Sequence, residues 1–382
     1  MYLKFYSEGD CLRIALVSSN SFYNHGGIQN HIIGLYNYLK SKGHYVKIIA
    51  PKYKNERRLN KDFIFFGECR KINANASLAD ISLINKNYNA KKILDREKFD
   101  IIHFHNPGIF ITTEILSKSN SKNIITFHFL PDASFIFKIL KFFLKYIKKI
   151  KIVKKIDGII FVSKPLKKYI SNYFSCKKTI IPNGIDLTKF KLKSLIKKYK
   201  DDKINLLFLG RFEKRKGLIY LIKAFEILKK KYNIRLLIVG TGNLKKKYKK
   251  YVRSKKIDDV VFVGKVSDKT KIKYINTCDI FCAPSIYGES FGIVLLEAMA
   301  CGKPIVGFAN QGYKQVLNKK QKIFLAKPKD INQLANKIEN LIKNKNMRKY
   351  LIKLGKEEVK KYSWGIVGKR IENFYKEILN EK

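Results

Sequence analysis

At 382 residues and 46% hydrophobic content, the chain is long enough for two ordinary globular cores and too apolar for a disordered tail. Its 80 Lys+Arg against 30 Asp+Glu give a formal charge of +50, a balance that attracts nucleic acid, anionic lipid or phosphate-bearing substrates. The abundance of Lys, Asn and Ile fits an AT-rich coding bias, so the charge alone does not make a nucleic-acid binder.

Short β-branched runs alternate with helical patterns, the signature of βαβ units and parallel sheets. In the first half the predicted strands are 12–18, 45–51, 100–105, 123–128, 157–163 and 178–184. After the first strand, NHGGIQNHIIGLYNYLKSKGH (24–44) places Gly26 and Gly27 before a helix with apolar residues at helical spacing. Glycines there let backbone amides approach an anion at a helix N-terminus, although a plain strand-to-helix turn has the same composition. Farther on, SFIFKILKFFLKYIKKIKIVKK (134–155) sets Lys138, Lys141, Lys145 and Lys148 as a basic stripe on an apolar helix. A helix of that kind suits an anionic bilayer surface as well as it suits the packing of a domain.

The Lys-rich stretch 191–203 interrupts the pattern, and a second series of strands follows at 205–211, 235–240, 260–264, 279–285 and 304–308. The economical division is a first domain over 1–200, a second over 201–361 and a final amphipathic helix in 362–382. Trp364, Val367, Ile371, Phe374 and Tyr375 share one face of that helix. In doubly wound sheets ligands sit at the carboxyl ends of the strands. There, LGRFEKRKG (209–217) carries Arg211 and Lys216, two cations placed to neutralise a diphosphate. YGESFGIVLLEAMACGKPIVG (287–307) carries Glu289 and Glu297 around Ser290, Phe291 and Gly292, which open a helix whose amides face an anion. Carboxylates beside a phosphate site repel it, so they are read as hydroxyl acceptors, one for a ribose and one for a sugar. VGTGNLKK (239–246) stops at two glycines, which argues against a dinucleotide-dependent dehydrogenase.

Six cysteines (Cys11, Cys69, Cys176, Cys278, Cys282 and Cys301) form no Cys-x-x-Cys, so no metal site is expected and the chain reads as reduced and cytosolic. The opening residues lack a signal-peptide pattern, and no uncharged stretch is long enough to span a bilayer.

The segments GGIQNH, IPNGIDLTKF, GRFEKRKG and PSIYGESFGIVLLEAMACGKPIVG, with their E-x7-E spacing, resemble family-4 glycosyltransferases of the GT-B fold over nearly the whole chain. The resemblance implies an α/β protein of two Rossmann-like, doubly wound parallel-sheet domains facing a central cleft, and a retaining transfer from a nucleotide sugar. It implies that Arg211 and Lys216 hold the diphosphate, Glu297 the ribose and Glu289 the transferred sugar, with Phe291, Gly292 and Ile293 at the helix start. Gly26 and Gly27 would close over the diphosphate from the other domain, His128 would contact the sugar near the reaction centre, and the final helix would return to the first domain.

Within the family the chain is most similar to the phosphatidylinositol mannosyltransferases. The loop VGKVSDKTK (263–271) matches the one that holds guanine, which implies Val266, Asp268 and Lys271 around the base and GDP-mannose as donor. Gln29 matches an acceptor-binding position, whereas Asn20 and Gly108 replace inositol-contacting side chains, and the common GG..E stretch reads NQGYKQVL instead.

No Asp-x-Asp occurs, so the sequence implies neither a metal nor any other cofactor at the diphosphate. Fixed cations and helix amides can stabilise the leaving group without reorganisation, and with no nucleophile pair in sight the expected route is front-face attack by the acceptor. The expected partners are GDP-mannose, a lipid or saccharide acceptor and an anionic membrane on its cytoplasmic face. A UDP-sugar enzyme making polysaccharide or lipid-linked saccharide is the alternative of the same class. A basic nucleic-acid-binding protein is the alternative from another class. It is disfavoured because Phe and Tyr fall inside the strand and helix patterns, not among exposed basic residues.

Overall fold

The structure, a computed structural model, describes residues 10–23, 26–53, 56, 60–74, 77–84, 88–106, 109–128, 151–191 and 194–381. The chain divides into two compact units: Met1–Ala74, Leu78–Gly184 and Trp364–Lys382 form the first, and Asn75–Ser77 with Ile185–Ser363 the second. The division thus falls at 184/185 and 363/364, against expected boundaries at 200/201 and 361/362. The physical reason is local. Ile185 N donates to Tyr362 O (2.8 Å) and Ile196 N to Thr277 Oγ1 (2.8 Å), so the Lys-rich stretch packs on the second unit.

The first unit is built on strands β1 (Arg13–Ser18), β2 (Tyr45–Lys52), β3 (Phe63–Ala74), β4 (Ser77–Leu83), β5 (Ile101–His105), β6 (Lys122–Phe127), β7 (Gly158–Phe161) and β8 (Lys177–Ile180), in the order β4-β3-β2-β1-β5-β6-β7-β8. Adjacent strands from β3 across to β8 pair in parallel, with Ile14 opposite Val46 on one side and Ile101 on the other. β3 and β4 were not among the expected strands. β3 carries Gly67, Glu68, Arg70 and Lys71, which break the apolar run that marked the others.

The helices of the first unit are α1 (Gly27–Ser41), α2 (Ala90–Glu97), α3 (Ile109–Lys118), α4 (Lys164–Ile170) and, from the far end of the sequence, Trp364–Asn380. Residues 134–150 of the expected basic helix lie outside the described residues, and Lys151–Lys155 form a short 3-10 turn. The terminal helix buries Val367, Ile371, Phe374, Tyr375 and Ile378 among Ile32, Leu35, Tyr38 and Leu39 of α1, as its amphipathic pattern predicts. Burying each such large side chain stabilises by about 1.5–3 kcal/mol. The start of this helix is fitted by glycines: a Cβ on Gly34 would lie 2.1 Å from Trp364 Nε1, and one on Gly184 would lie 2.7 Å from the same indole.

The second unit carries β9 (Ile204–Leu209), β10 (Ile234–Val239), β11 (Val260–Gly264), β12 (Ile280–Ala283), β13 (Ile305–Phe308) and β14 (Leu325–Ala326), all parallel in the order β11-β10-β9-β12-β13-β14. Its helices are α5 (Leu218–Lys229), α6 (Lys245–Ser254), α7 (Asp268–Thr277), α8 (Ile293–Ala300), α9 (Gln311–Val316), α10 (Ile331–Lys343) and α11 (Lys345–Lys360). The terminal helix is therefore α12. Strand order reverses between β9 and β12, and between β1 and β5 in the first unit. Loops leaving neighbouring strands at such a point diverge and open a crevice.

Candidate active site

In the second unit, the loops after β9 and β12 flank the switch point. The β9 loop ends in a 3-10 turn, Lys214–Lys216, closed by Gly217 at φ +67°. A Cβ on Gly217 would lie 1.9 Å from Pro284 O, so only glycine allows the two loops to touch. Ile286 N donates to Arg215 O (2.8 Å), which locks them together. This close approach delivers Lys216 to Glu289: Lys216 Nζ donates to Glu289 Oε1, and Arg215 Nη1 reaches the same oxygen at 3.5 Å.

The carboxylate at Glu289 is only 10% exposed. Burial alone would raise its pKa, but the Lys216 and Arg215 cations and the Ser285 hydroxyl together hold it below its usual range. Burial pulls the Lys216 ammonium down even though Glu289 opposes that shift. Arg211, more open at 59%, pairs with Glu213 Oε1 at 2.9 Å. Cations and carboxylates of this site therefore neutralise one another in the protein by itself.

The helix that Ser290, Phe291 and Gly292 were expected to open starts only at Ile293. Gly292 is the residue before it, at φ +96°, and α8 runs from Ile293. The reason is steric. A Cβ on Gly292 would lie 2.7 Å from the Tyr313 ring, and the left-handed turn there precludes a helical Phe291–Gly292 start. Ser290 and Phe291 are buried ahead of it, Phe291 packing edge-on against Tyr362 (5.6 Å, 70°), and Ile293 is half-buried.

Within α8, Glu297 is 6% exposed. Its Oε1 accepts from Lys271 Nζ at 2.7 Å, while Oε2, also buried, has no hydrogen-bond partner among the described residues. Burial would lower the Lys271 pKa, but Glu297 and Asp268 hold it above its usual value. Asp268 opens α7 behind the Ser267 cap and pairs with Lys271 at 3.1 Å, its side chain 63% exposed. Val266 is half-buried in the preceding loop. The structure therefore gathers Arg211, Lys216 and Glu289 around one loop pair, and Asp268, Lys271 and Glu297 into a second chain of contacts. Sequence reasoning missed Glu213, Arg215, Ser285 and Tyr313. Of these, only Arg215 carried a local signal, as the cation beside Lys216 before a glycine.

In the first unit, Gly26 precedes α1 in an extended conformation and Gly27 is its first residue. Gln29 is buried, its Nε2 donating to Ser21 O at 3.0 Å, which braces the glycine turn from behind. Gly108 lies outside the described residues. His128, just past β6, is 6% exposed and belongs to a cluster of four buried histidines that the sequence did not reveal. Its Nδ1 meets Asn183 Oδ1 at 3.0 Å and its Nε2 meets His105 Nδ1 at 3.1 Å. His103 is held by Tyr375 and Thr126 hydroxyls, both at 2.6 Å. Among the described residues, neither ring nitrogen of His31 has a hydrogen-bond partner.

His31, His105 and His128 bring one ring nitrogen each within 4.8 Å of the others, the grouping nearest to a metal site among the described residues. However, His31 packs edge to face on His128 (4.7 Å, 70°) and on Trp364 (5.0 Å, 61°). Zinc requires three lone pairs aimed at one point, about 2.0–2.1 Å from each nitrogen. Edge-to-face packing favours ring-on-ring cohesion instead.

Two family models match in tandem, "Glycosyltransferase Family 4" over residues 25–189 and "Glycosyl transferases group 1" over 191–358. Solved structures agree: sucrose-phosphate synthase from Thermosynechococcus elongatus superposes with a TM-score of 0.77 at 21% identity, covering 96% of this chain and 98% of that one. A glycosyltransferase from Rickettsia africae gives 0.76 at 21%, covering 97% and 100%. The chain belongs to the GT-B glycosyltransferases. Among curated proteins, this glycosyltransferase is 28% identical to the phosphatidyl-myo-inositol mannosyltransferase of Propionibacterium freudenreichii over 95% of this chain and 94% of that protein. It is equally identical to the one of Mycolicibacterium smegmatis, over 96% and 94%. No described helix of the glycosyltransferase is long and apolar enough to cross a membrane.

Proposed function

We propose that this glycosyltransferase moves mannose from GDP-mannose to a lipid acceptor such as phosphatidylinositol, at an anionic membrane surface on the cytoplasmic side, with retention at the anomeric carbon. The observation that carries the donor site is the buried Oε2 of Glu297, which has no hydrogen-bond partner among the described residues. An orphaned carboxylate oxygen is costly unless a ligand donates to it, and a ribose hydroxyl is such a donor. Arg211 and Lys216 supply positive charge to a departing diphosphate, and Glu289 accepts from the transferred sugar. No metal is assigned to the diphosphate, because Arg211, Lys216 and the α8 amides supply the charge that a cation would. In the first unit, His128 is held by Asn183 and His105, so its contribution is that of a fixed group, not a freely rotating base. The near full-length likeness to phosphatidylinositol mannosyltransferases supports mannose and a lipid acceptor.

Calorimetry with GDP and UDP, followed by GDP release from GDP-mannose with a lipid extract as acceptor, tests this reading. GDP should bind more tightly, and Asp268→Asn should weaken GDP more than UDP, since the amide can present donors to the guanine N–H groups. UDP binding with no measurable GDP binding would instead indicate a UDP-sugar enzyme. Changing Lys138, Lys141, Lys145 and Lys148 together to Glu tests the membrane. Each Lys near anionic lipid contributes about 1 kcal/mol. Co-sedimentation with anionic vesicles should therefore collapse while donor binding persists.

A further inference from the structure

Among the described residues, the carboxylate of Glu289 receives hydrogen bonds on one oxygen only. Oε1 takes Lys216 Nζ, Arg215 Nη1 at 3.5 Å and Ser285 Oγ at 3.1 Å, and Oε2 takes none of these. Behind Ser285 stands Tyr313, whose hydroxyl donates to Ser285 Oγ at 3.0 Å. Both residues are buried, at 2% exposure each. We propose that Tyr313 and Ser285 are positioning residues, a hydroxyl relay that clamps Glu289 by Oε1 so that Oε2 is presented to the transferred sugar. This rests on the reading of Glu289 as the sugar's acceptor residue.

The direction of the relay follows from its ends. Glu289 is an ionised carboxylate and can only accept. Burial, reinforced by the Glu289 charge, keeps the Tyr313 phenol protonated far above neutral pH. The Ser285 hydroxyl has one proton to give and must give it to the carboxylate, so it accepts the one from Tyr313. In a low-dielectric site each bond polarises the next, which strengthens the contact to Glu289 beyond that of a lone serine.

The backbone around the relay is fixed as closely as its hydroxyls. Asn310 Nδ2 donates to Ser285 O (2.9 Å), and Asn310 Oδ1 accepts from Tyr313 N (2.9 Å), so one side chain ties both relay residues together. Gly312 lies so close to the Glu289 loop that a Cβ on it would be 2.4 Å from Glu289 O. The Tyr313 ring in turn fills the space against Gly292. The stretch NQGYKQVL (310–317) is thus the segment that supplies the relay.

Tyr313→Phe, Ser285→Ala and the double variant, made in the full chain, test this. Tyr313→Phe keeps the ring against Gly292, so its melting temperature should stay close to the parent's, and GDP and UDP affinities should be unchanged because the relay touches no part of the nucleotide. Turnover of GDP-mannose or UDP-glucose should fall about fivefold, the effect of losing one hydrogen bond between neutral hydroxyls. The acid limb of its pH profile should move to higher pH, since Glu289 loses part of what keeps it ionised. The double variant should lose no more than Ser285→Ala alone, because Tyr313 acts only through Ser285. Additive losses with a fall in melting temperature would reduce both residues to packing and overturn the relay. Full turnover and an unmoved pH profile in Tyr313→Phe would overturn it too, while leaving the donor site standing. A parent protein that binds neither nucleotide would overturn the donor reading and the relay with it.

Discussion

Lys271 donates to Glu297 Oε1 across 2.7 Å and leaves Glu297 Oε2 buried, with no hydrogen-bond partner among the described residues. The pair is anchored on one side and open on the other, which suits recognition of a hydroxyl better than of an anion. Glu297→Gln keeps the shape and removes the charge. Nucleoside diphosphate binding should weaken by about 1.5–3 kcal/mol, the value of a hydrogen bond to a charged group. Calorimetry measures this directly, and an unchanged affinity would take Glu297 out of the site.

Arg211→Ala and Lys216→Ala should each lower turnover by several orders of magnitude, because each deletes positive charge that a departing diphosphate needs. Lys216→Ala also leaves Glu289 without its nearest cation, so its effect should exceed that of Arg211→Ala. Near-normal rates in both would move the chemistry elsewhere in the chain. EDTA should leave nucleotide affinity unchanged in the parent protein, and a chelator-sensitive affinity would require a metal at the diphosphate.

The buried histidines make the first unit acid-sensitive. Burial pulls His128 from 6.5 down to about 4 and His103 to about 3. Between about pH 6.5 and those values the unfolded chain binds protons that the folded chain excludes, so stability rises with pH across this window and is lost as pH falls through it. The melting temperature should fall steadily from about pH 7 to about pH 4.5. His103→Gln removes one such group, and a smaller pH dependence in that variant would tie the effect to the cluster. A level profile in the parent would contradict neutral buried imidazoles.

Gly34→Ala sets two effects against each other. In an exposed helix the change gains about 1 kcal/mol of helix propensity. Here the new Cβ would lie 2.1 Å from Trp364 Nε1, and overpacking of that kind costs about 1–3 kcal/mol. The clash should win, lowering the melting temperature by several degrees. A stabilised variant would show that α12 can shift on α1 without loss.

Most strands, though not β3, β4 or the two-residue β14, were legible because a parallel strand covered on both faces is a continuous β-branched run, and such runs end where loops begin. The site's principal charges were legible for the same reason. Arg211 and Lys216 follow the end of β9, and Glu289 and Glu297 lie around the start of α8, all within short, glycine-marked segments. β3 and β4 were not legible, since strands toward the margin of a sheet tolerate Glu68, Arg70 and Lys71.

What the sequence could not determine is who stands beside whom. Tyr313 reaches Ser285 across 28 residues and Lys271 reaches Glu297 across 26, while the histidines come from α1, β5 and the end of β6. A parallel sheet sets such neighbours by strand order, and the order reverses between β9 and β12 without any mark in the local sequence. Composition and spacing therefore single out candidate groups for a nucleotide sugar. Only the packing of loops against each other, with Gly217 pressed on Pro284 and Gly312 on Glu289, decides which oxygen each group presents.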